Sequence, residues 1–276
     1  MDAHLIQLDR DHPGFRDLTY RARRDAIARL AAAHERGQPP PQVDYSEEEA
    51  RVWATALETL TDLHARYACR GYRSAWPSLG FTTARIPQLA EISERLAQAT
   101  GFTYAPVAGL VTPREFMDRL ADRTFLATQY MRHPSTPLYT PEPDLIHELV
   151  GHAPSLCDAR YARINQLFGE ATRVADDASV ERLIRTYWYC MEFGVVREGD
   201  ALKAVGAGLL SSFGELARFE REAQLVPFEL GLVGRTPFDP TQYQSTLFVA
   251  ASEEALLSTL TEWLEFLSSG PSARDR

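Results

Sequence analysis

Cysteine is scarce in this chain: Cys69, Cys157 and Cys190 are far apart and odd in number. They supply neither a disulfide framework nor a zinc knuckle, and they read as small buried hydrophobes. Positive charge is also short. Against 38 Asp and Glu stand 29 Lys and Arg, a formal net charge of −9. That balance, with no basic run, excludes the basic footprint of a nucleic-acid binder or of a protein drawn to anionic membranes. No apolar stretch reaches the roughly 20 residues of a spanning helix. Met1 to Arg10 lacks the apolar core of a signal peptide. These absences lead us to expect a cytoplasmic protein with neither nucleic acid nor membrane as partner. Internal repeats are missing as well. What remains is ordinary globular composition over 276 residues, 45% hydrophobic and 24% charged, enough to bury a substantial core.

Residues 1–45 read as an arm with one helix. Asp11-His12-Pro13-Gly14 is turn chemistry, and Tyr20 to His34 is rich in the helix formers Ala, Arg and Leu. Gly37 and Pro39-Pro40-Pro41 end that helix. Ser46 followed by Glu49 is a capping-box pattern, and Val52, Trp53, Ala56, Leu57, Leu60 and Leu63 recur at helical spacing behind it. Trp76-Pro77 and Gly80 suggest a loop. A helix from Pro87 to about Thr100 stops at Gly101, Phe102 to Leu110 is irregular or strand, and Pro113 opens another helix. Further helices are expected at about 158–170, 178–196 and 252–267. The runs Val226 to Leu230 and Thr246 to Ala250 suggest short strands, paired as a hairpin. The expected fold is mostly α: a single catalytic domain over 46–267 with a small β-hairpin or sheet, and a polar tail at 268–276.

The chemistry concentrates in Pro141-Glu142-Pro143-Asp144-Leu145-Ile146-His147-Glu148-Leu149-Val150-Gly151-His152. Zinc proteases space two histidines four apart, on one helical face. Here the spacing is five, which turns the side chains about 140° from each other on a straight helix. Both can reach one ion only if the helix is locally unwound, as in a π-bulge, or ends at Gly151, and glycine beside the second ligand makes such a distortion inexpensive. A third ligand is expected in Tyr187-Trp188-Tyr189-Cys190-Met191-Glu192-Phe193-Gly194. Glu192 is the lone carboxylate in that apolar run, and charge is rarely buried there unless paired or bound to a cation. A histidine pair on a helix is more often packing, and Glu192 alone could answer an arginine. Together the three make the facial triad of non-haem Fe(II) oxygenases. His133 falls outside the triad, and His4, His12, His34 and His64 are expected to be solvated.

Several segments resemble the pterin-dependent aromatic amino acid hydroxylases. They are Ile86 to Leu89, Ala105 to Leu110, Thr128 to His133, Tyr139 to His152, Tyr187 to Gly194 and Gly206 to Glu215. The resemblance runs from about Asp11 to Leu267. It implies a mostly α catalytic domain, Fe(II) on His147, His152 and Glu192, tetrahydrobiopterin or a related reduced pterin, and O₂ as co-substrate. It further implies Arg132 on the amino acid carboxylate, helped by Thr140 and Ser211. Pro143, Trp188, Phe193 and Val249 would surround the aromatic ring. Tyr187 would stand near the iron. Phe116, the Gly109-Leu110-Val111 backbone and Glu148 would meet the pterin. Within the family Trp188 favours phenylalanine over tryptophan and Val249 favours it over tyrosine. Para-hydroxylation of phenylalanine is the expectation; tryptophan 5-hydroxylation and meta-hydroxylation of phenylalanine are the in-family alternatives. A zinc hydrolase built on His147, Glu148 and His152 is the more distant alternative. Two departures stand out: Thr112-Pro113 where the family usually has Ser, and Leu126 where animal members have His. No preceding regulatory domain and no heptads after Leu267 suggest a monomer or weak dimer.

Overall fold

The computed structural model describes residues 8–269. Local signals explain most helix boundaries. Helix Leu18–Ala32 starts at Asp17, whose carboxylate accepts from the Thr19 and Tyr20 amides. Helix Glu47–Tyr67 carries the expected capping box: the Glu49 amide donates to Ser46 Oγ, and Glu49 Oε2 accepts from the Ser46 amide. Helix Leu89–Thr100 ends at Gly101, left-handed at φ 80°. Helix Pro113–Leu120 begins with proline behind the Thr112 cap. Helices Ala159–Val174, Asp177–Tyr187 and Glu253–Ser268 follow, the first and last packing on each other.

Three expectations are corrected. Trp76 and Pro77 do not form a loop but close a helix, Arg70–Leu79, that stops at the left-handed Gly80. Pro77, near the C-terminal end, costs the helix one N–H of its ladder, and Tyr72 and Trp76 pack their rings on His64. The helix expected over 178–196 ends at Tyr187, widens into a π-turn at Trp188–Glu192 and gives way to a strand. Finally, the two runs near 226 and 246 do pair, but in parallel.

Strands β1 (Thr103–Pro106) and β2 (Thr124–Ala127) form a parallel pair. The second sheet holds β3 (Val195–Glu198), β4 (Ala201–Ala204), β5 (Gln224–Pro227) and β6 (Thr246–Ala250) in the order β4-β3-β6-β5. Its hairpin is β3–β4, turned at Gly199-Asp200 with Gly199 at φ 60°. β5 and β6 run parallel because the chain between them crosses back through the short helix Leu230–Val233.

One core cluster runs from Val52 to Leu264. The 8–45 segment is tied to it by buried bonds. Tyr20 Oη donates to the Met131 carbonyl at 3.0 Å, and Arg24 pairs with Glu142 at 3.0 Å. His12 and His64 are therefore not solvated. His12 stacks on Tyr20 beside Glu142, and His64 is 5% exposed with Nε2 on the Leu210 carbonyl at 2.7 Å. His34 remains half-exposed, and His4 lies outside the described residues. Cys69 and Cys190 are buried and Cys157 half-buried, all free thiols.

Candidate metal centre

The five-residue histidine spacing is resolved by a π-turn over His147–His152. Bonding i to i+5 sets residues five apart one above the other, so both imidazoles project from one side. Gly151 serves this turn by its size rather than its torsions. A Cβ there would sit 2.7 Å from the Ala207 carbonyl oxygen, so its absence lets the helix Ala207–Ser211 press against the turn. The second π-turn, Trp188–Glu192, delivers Glu192 to the same place. Gly206 permits that approach, since a Cβ on it would lie 2.2 Å from the Glu192 carbonyl oxygen.

The three predicted ligands converge. His147 Nε2 and His152 Nε2 are 2.9 Å apart, and Glu192 reaches them at 3.7 and 3.3 Å. Two nitrogens each about 2.1 Å from one ion, at a right angle to each other, are about 3 Å apart, so this spacing suits a shared cation. The protonation pattern agrees. Ser211 Oγ donates to the Ala207 carbonyl at 2.8 Å, leaving its lone pairs for His147 Nδ1–H at 2.9 Å. His147 Nε2 is thereby left as a bare lone pair facing the other donors. Burial, reinforced by His152, lowers His147 to about 4 against the pull of Glu192, which keeps that imidazole neutral. Burial would lower His152 too, but Glu192 overrides it and raises it; Glu192, despite burial, is held low by the two histidines.

Glu148 also has a donor atom within 4.8 Å of the histidine nitrogens. Its carboxylate is engaged elsewhere: Oε1 accepts from the Thr128 amide at 3.0 Å and Thr128 Oγ1 at 3.1 Å. Burial lifts it to about 7, opposed by His152 and by the Thr128 bonds. The short contacts to the histidines come from Glu192, which makes it the better third ligand. A hydrolase would need Glu148 free to act as base; Thr128 holds it instead.

Around this centre lie the other predicted residues. Arg132, 3% exposed, grips Asp144 in a fork: Nε to Oδ2 at 2.9 Å and Nη2 to Oδ1 at 2.8 Å. Asp144 also accepts from the Arg132 amide and, at 3.2 Å, from the His147 amide. It thus links the arginine to the first ligand. Thr140 Oγ1 donates to the Glu142 carbonyl, and the Pro143 carbonyl accepts from Tyr130 Oη. Trp188 is half-buried, stacked on Phe238 at 4.2 Å and 12°, tilted against Phe193 at 4.8 Å, with its indole N–H on Gln244 Oε1 at 3.0 Å. Val249 sits in β6 between Val195 and Pro227. Tyr187 is buried, its hydroxyl on Asn165 Oδ1 at 2.9 Å and its ring edge-on to Phe116. Phe116 is half-buried, and a run of rings leads from it through Phe125 to His152. Gly109, Leu110 and Val111 precede the Thr112 cap, with Leu110 76% exposed. His133 bonds Ser135 and Asp17, outside the centre.

Sequence reasoning missed Asp144, Thr128, Gln244 and Phe238. Asp144 had a signal, a carboxylate three residues before His147 where a helix would be capped. The other three carry none, because each acts only through a contact distant in sequence.

Among known proteins, the model for the biopterin-dependent aromatic amino acid hydroxylases matches residues 3–270. Human phenylalanine-4-hydroxylase is 45% identical over 255 residues, 91% of this chain and 56% of the human protein. A Drosophila melanogaster tyrosine 3-monooxygenase is 42% identical over 273 residues, 97% of this chain and 47% of the fly protein. The chain thus spans about half the length of the curated relatives it matches. A Chromobacterium violaceum phenylalanine hydroxylase structure with bound oxidized Fe(III) superposes with a TM-score of 0.78 at 27% identity, covering 89% of this chain and 92% of that one. With the family model matched over residues 3–270 and relatives 42–45% identical over more than nine-tenths of it, this chain belongs to the biopterin-dependent aromatic amino acid hydroxylase family.

Proposed function

We propose that the protein hydroxylates L-phenylalanine to L-tyrosine, using Fe(II), a tetrahydropterin and O₂. The observation that carries the reading is the convergence of His147, His152 and Glu192 from two π-turns, with His147 Nε2 left as a lone pair. Two imidazoles and one carboxylate leave positions open on the metal. When bound, metal and reduced pterin supply the activation of O₂: one oxygen atom enters the ring, and the pterin gives the two electrons that reduce the other.

The chain's own residues bind and orient. Arg132 takes the amino acid carboxylate through the N–H groups that Asp144 does not use; Thr140 and Ser211 assist by turning their O–H from the Glu142 and Ala207 carbonyls to the substrate. A guanidinium already fixed by a fork costs little further entropy on binding. Trp188, Phe193, Pro143 and Val249 form the walls for the aromatic ring. The Phe238 stack and the Gln244 bond hold the indole in one orientation. Phe116, Glu148 and the 109–111 loop hold the pterin, and Tyr187 stays a neutral phenol, since burial raises it well above the usual value. In this reading residues 46–267 are the catalytic unit and the preceding segment braces the Glu142 loop through Arg24. The protein works as a monomer or weak dimer in the cytoplasm.

The test is anaerobic reconstitution with Fe(II), then addition of O₂, tetrahydropterin and one aromatic amino acid at a time, with products separated by chromatography. Para-tyrosine from phenylalanine, only with all components present, is the expected result. Products from tryptophan or tyrosine alone, or meta-tyrosine, would overturn the substrate assignment; no turnover of any ring would overturn the activity.

A further inference from the structure

A wide turn is expensive to keep. In an α-helix each carbonyl accepts from the amide four residues on; entering a register of five leaves an amide without its acceptor, and returning to four leaves a carbonyl without its donor. The Glu148 amide still bonds the Asp144 carbonyl at 3.0 Å in α-fashion, so the change of register falls just beyond it. Two buried phenols donate to carbonyls within this turn. Tyr104, from β1, gives its O–H to the Glu148 carbonyl at 2.6 Å. Tyr72, from helix Arg70–Leu79, gives its O–H to the Val150 carbonyl at 2.8 Å. Each tyrosine is 3% exposed, so water has no ready access to replace either bond.

We propose that Tyr104 and Tyr72 are positioning residues of the metal centre, holding the backbone of the His147–His152 turn in the wide form that aims both imidazoles at one ion. The inference rests on the metal reading above. The two donors come from different elements, helix Arg70–Leu79 and strand β1, and their acceptors flank Leu149, between the ligands. Tyr72 is coupled further by packing. Its ring meets His64 edge-on at 4.9 Å, and His64 Nε2 donates to the Leu210 carbonyl at 2.7 Å. Leu210 precedes Ser211, the residue that fixes the His147 tautomer. One aromatic pair therefore steadies both the turn and the serine that orients its first ligand.

A merely structural bond would also be lost in a phenylalanine variant, so stability alone cannot decide. The experiment uses Tyr104→Phe, Tyr72→Phe and, as control, Tyr45→Phe, whose hydroxyl makes a comparable bond to the Gln129 carbonyl at 2.9 Å away from the turn. Each full-length protein is stripped of metal, its melting temperature recorded, and then titrated with Co(II) while the visible ligand-field spectrum is followed. Tyr104→Phe and Tyr72→Phe should bind Co(II) about tenfold to hundredfold more weakly, with displaced band positions. Tyr45→Phe should keep wild-type affinity and spectrum, even where its melting temperature falls as far. Unchanged Co(II) affinity and spectrum in both turn variants would overturn the proposal. Failure of wild type and Tyr45→Phe to bind Co(II) at all would instead overturn the metal reading itself. If one single variant does not fold, the other carries the test.

Discussion

Asp144→Asn is the sharpest probe of how the site is built. The Asp144 carboxylate is fully buried and accepts four bonds: the Arg132 amide, Arg132 Nε, Arg132 Nη2 and the His147 amide. An asparagine keeps the shape but replaces one oxygen by an NH₂. Whichever way the amide turns, two of the four acceptors become donors facing donors, and the buried guanidinium loses its counter-charge. Removing one member of a buried pair costs about 3–5 kcal/mol, because the other charge stays behind uncompensated. With about 2–4 °C of melting temperature per kcal/mol for a chain of this size, the fall should be about 6–20 °C. The reference is Arg85→Met, which breaks an exposed pair with Glu91 whose side chains are 60% and 40% exposed. Such a pair is worth under about 1 kcal/mol. Circular dichroism melts of the metal-free proteins give the comparison, and phenylalanine KM should rise with the loss of a fixed Arg132. If Asp144→Asn melts within 2–3 °C of Arg85→Met (roughly 1 kcal/mol), the buried-pair argument is wrong.

Other outcomes follow from single contacts. Ser211→Ala removes the acceptor of His147 Nδ1–H and should weaken Co(II) or Fe(II) binding about tenfold or more, read by titration, with little change in helix content. Gly206→Ala drives a Cβ against the Glu192 backbone and should abolish metal binding in a protein that still folds less stably; normal metal affinity would show that the two segments can separate cheaply. The His64 imidazole, pushed by burial down to about 4 from 6.5, stays neutral in the folded state while the unfolded chain protonates first. Stability should thus be lost as pH falls from 6.5 towards 4, by up to about 3 kcal/mol at about 1.4 kcal/mol per pH unit. Urea melts of His64→Gln should show a flatter acid limb over that window.

Much of this site is legible in one stretch of sequence because its information is local. Histidines five apart cannot share an ion on a regular helix, so the spacing itself calls for a wide turn, and the turn is there at His147–His152. Ser46 with Glu49, Pro113 behind Thr112, and the glycine at 101 likewise act within a few residues of themselves, and they bound the helices as their chemistry requires. The second π-turn is not legible. A pattern of period 3.6 continues through Trp188 to Glu192, where the structure has a π-turn packed closely against Gly206 and Gly208.

The limits share one cause. Strand runs near 226 and 246 advertise β-structure by side-chain type, yet their direction depends on where the intervening chain crosses, and it returns them in parallel. His12 and His64 look like solvated polar residues in sequence; burial comes from partners more than a hundred positions away, Glu142 and the Leu210 carbonyl. Arg132 can be singled out as a carboxylate fork, but its lock onto Asp144, Thr128 on Glu148 and Gln244 on the Trp188 indole exist only once the chain is packed. Sequence by itself determined the ligand types, their spacing and the helix ends, because those follow from backbone geometry over a few residues. Tertiary structure alone decided which donors meet, which way each imidazole carries its proton and which carboxylate is left for the metal, because a buried hydrogen bond depends on elements that only folding brings together.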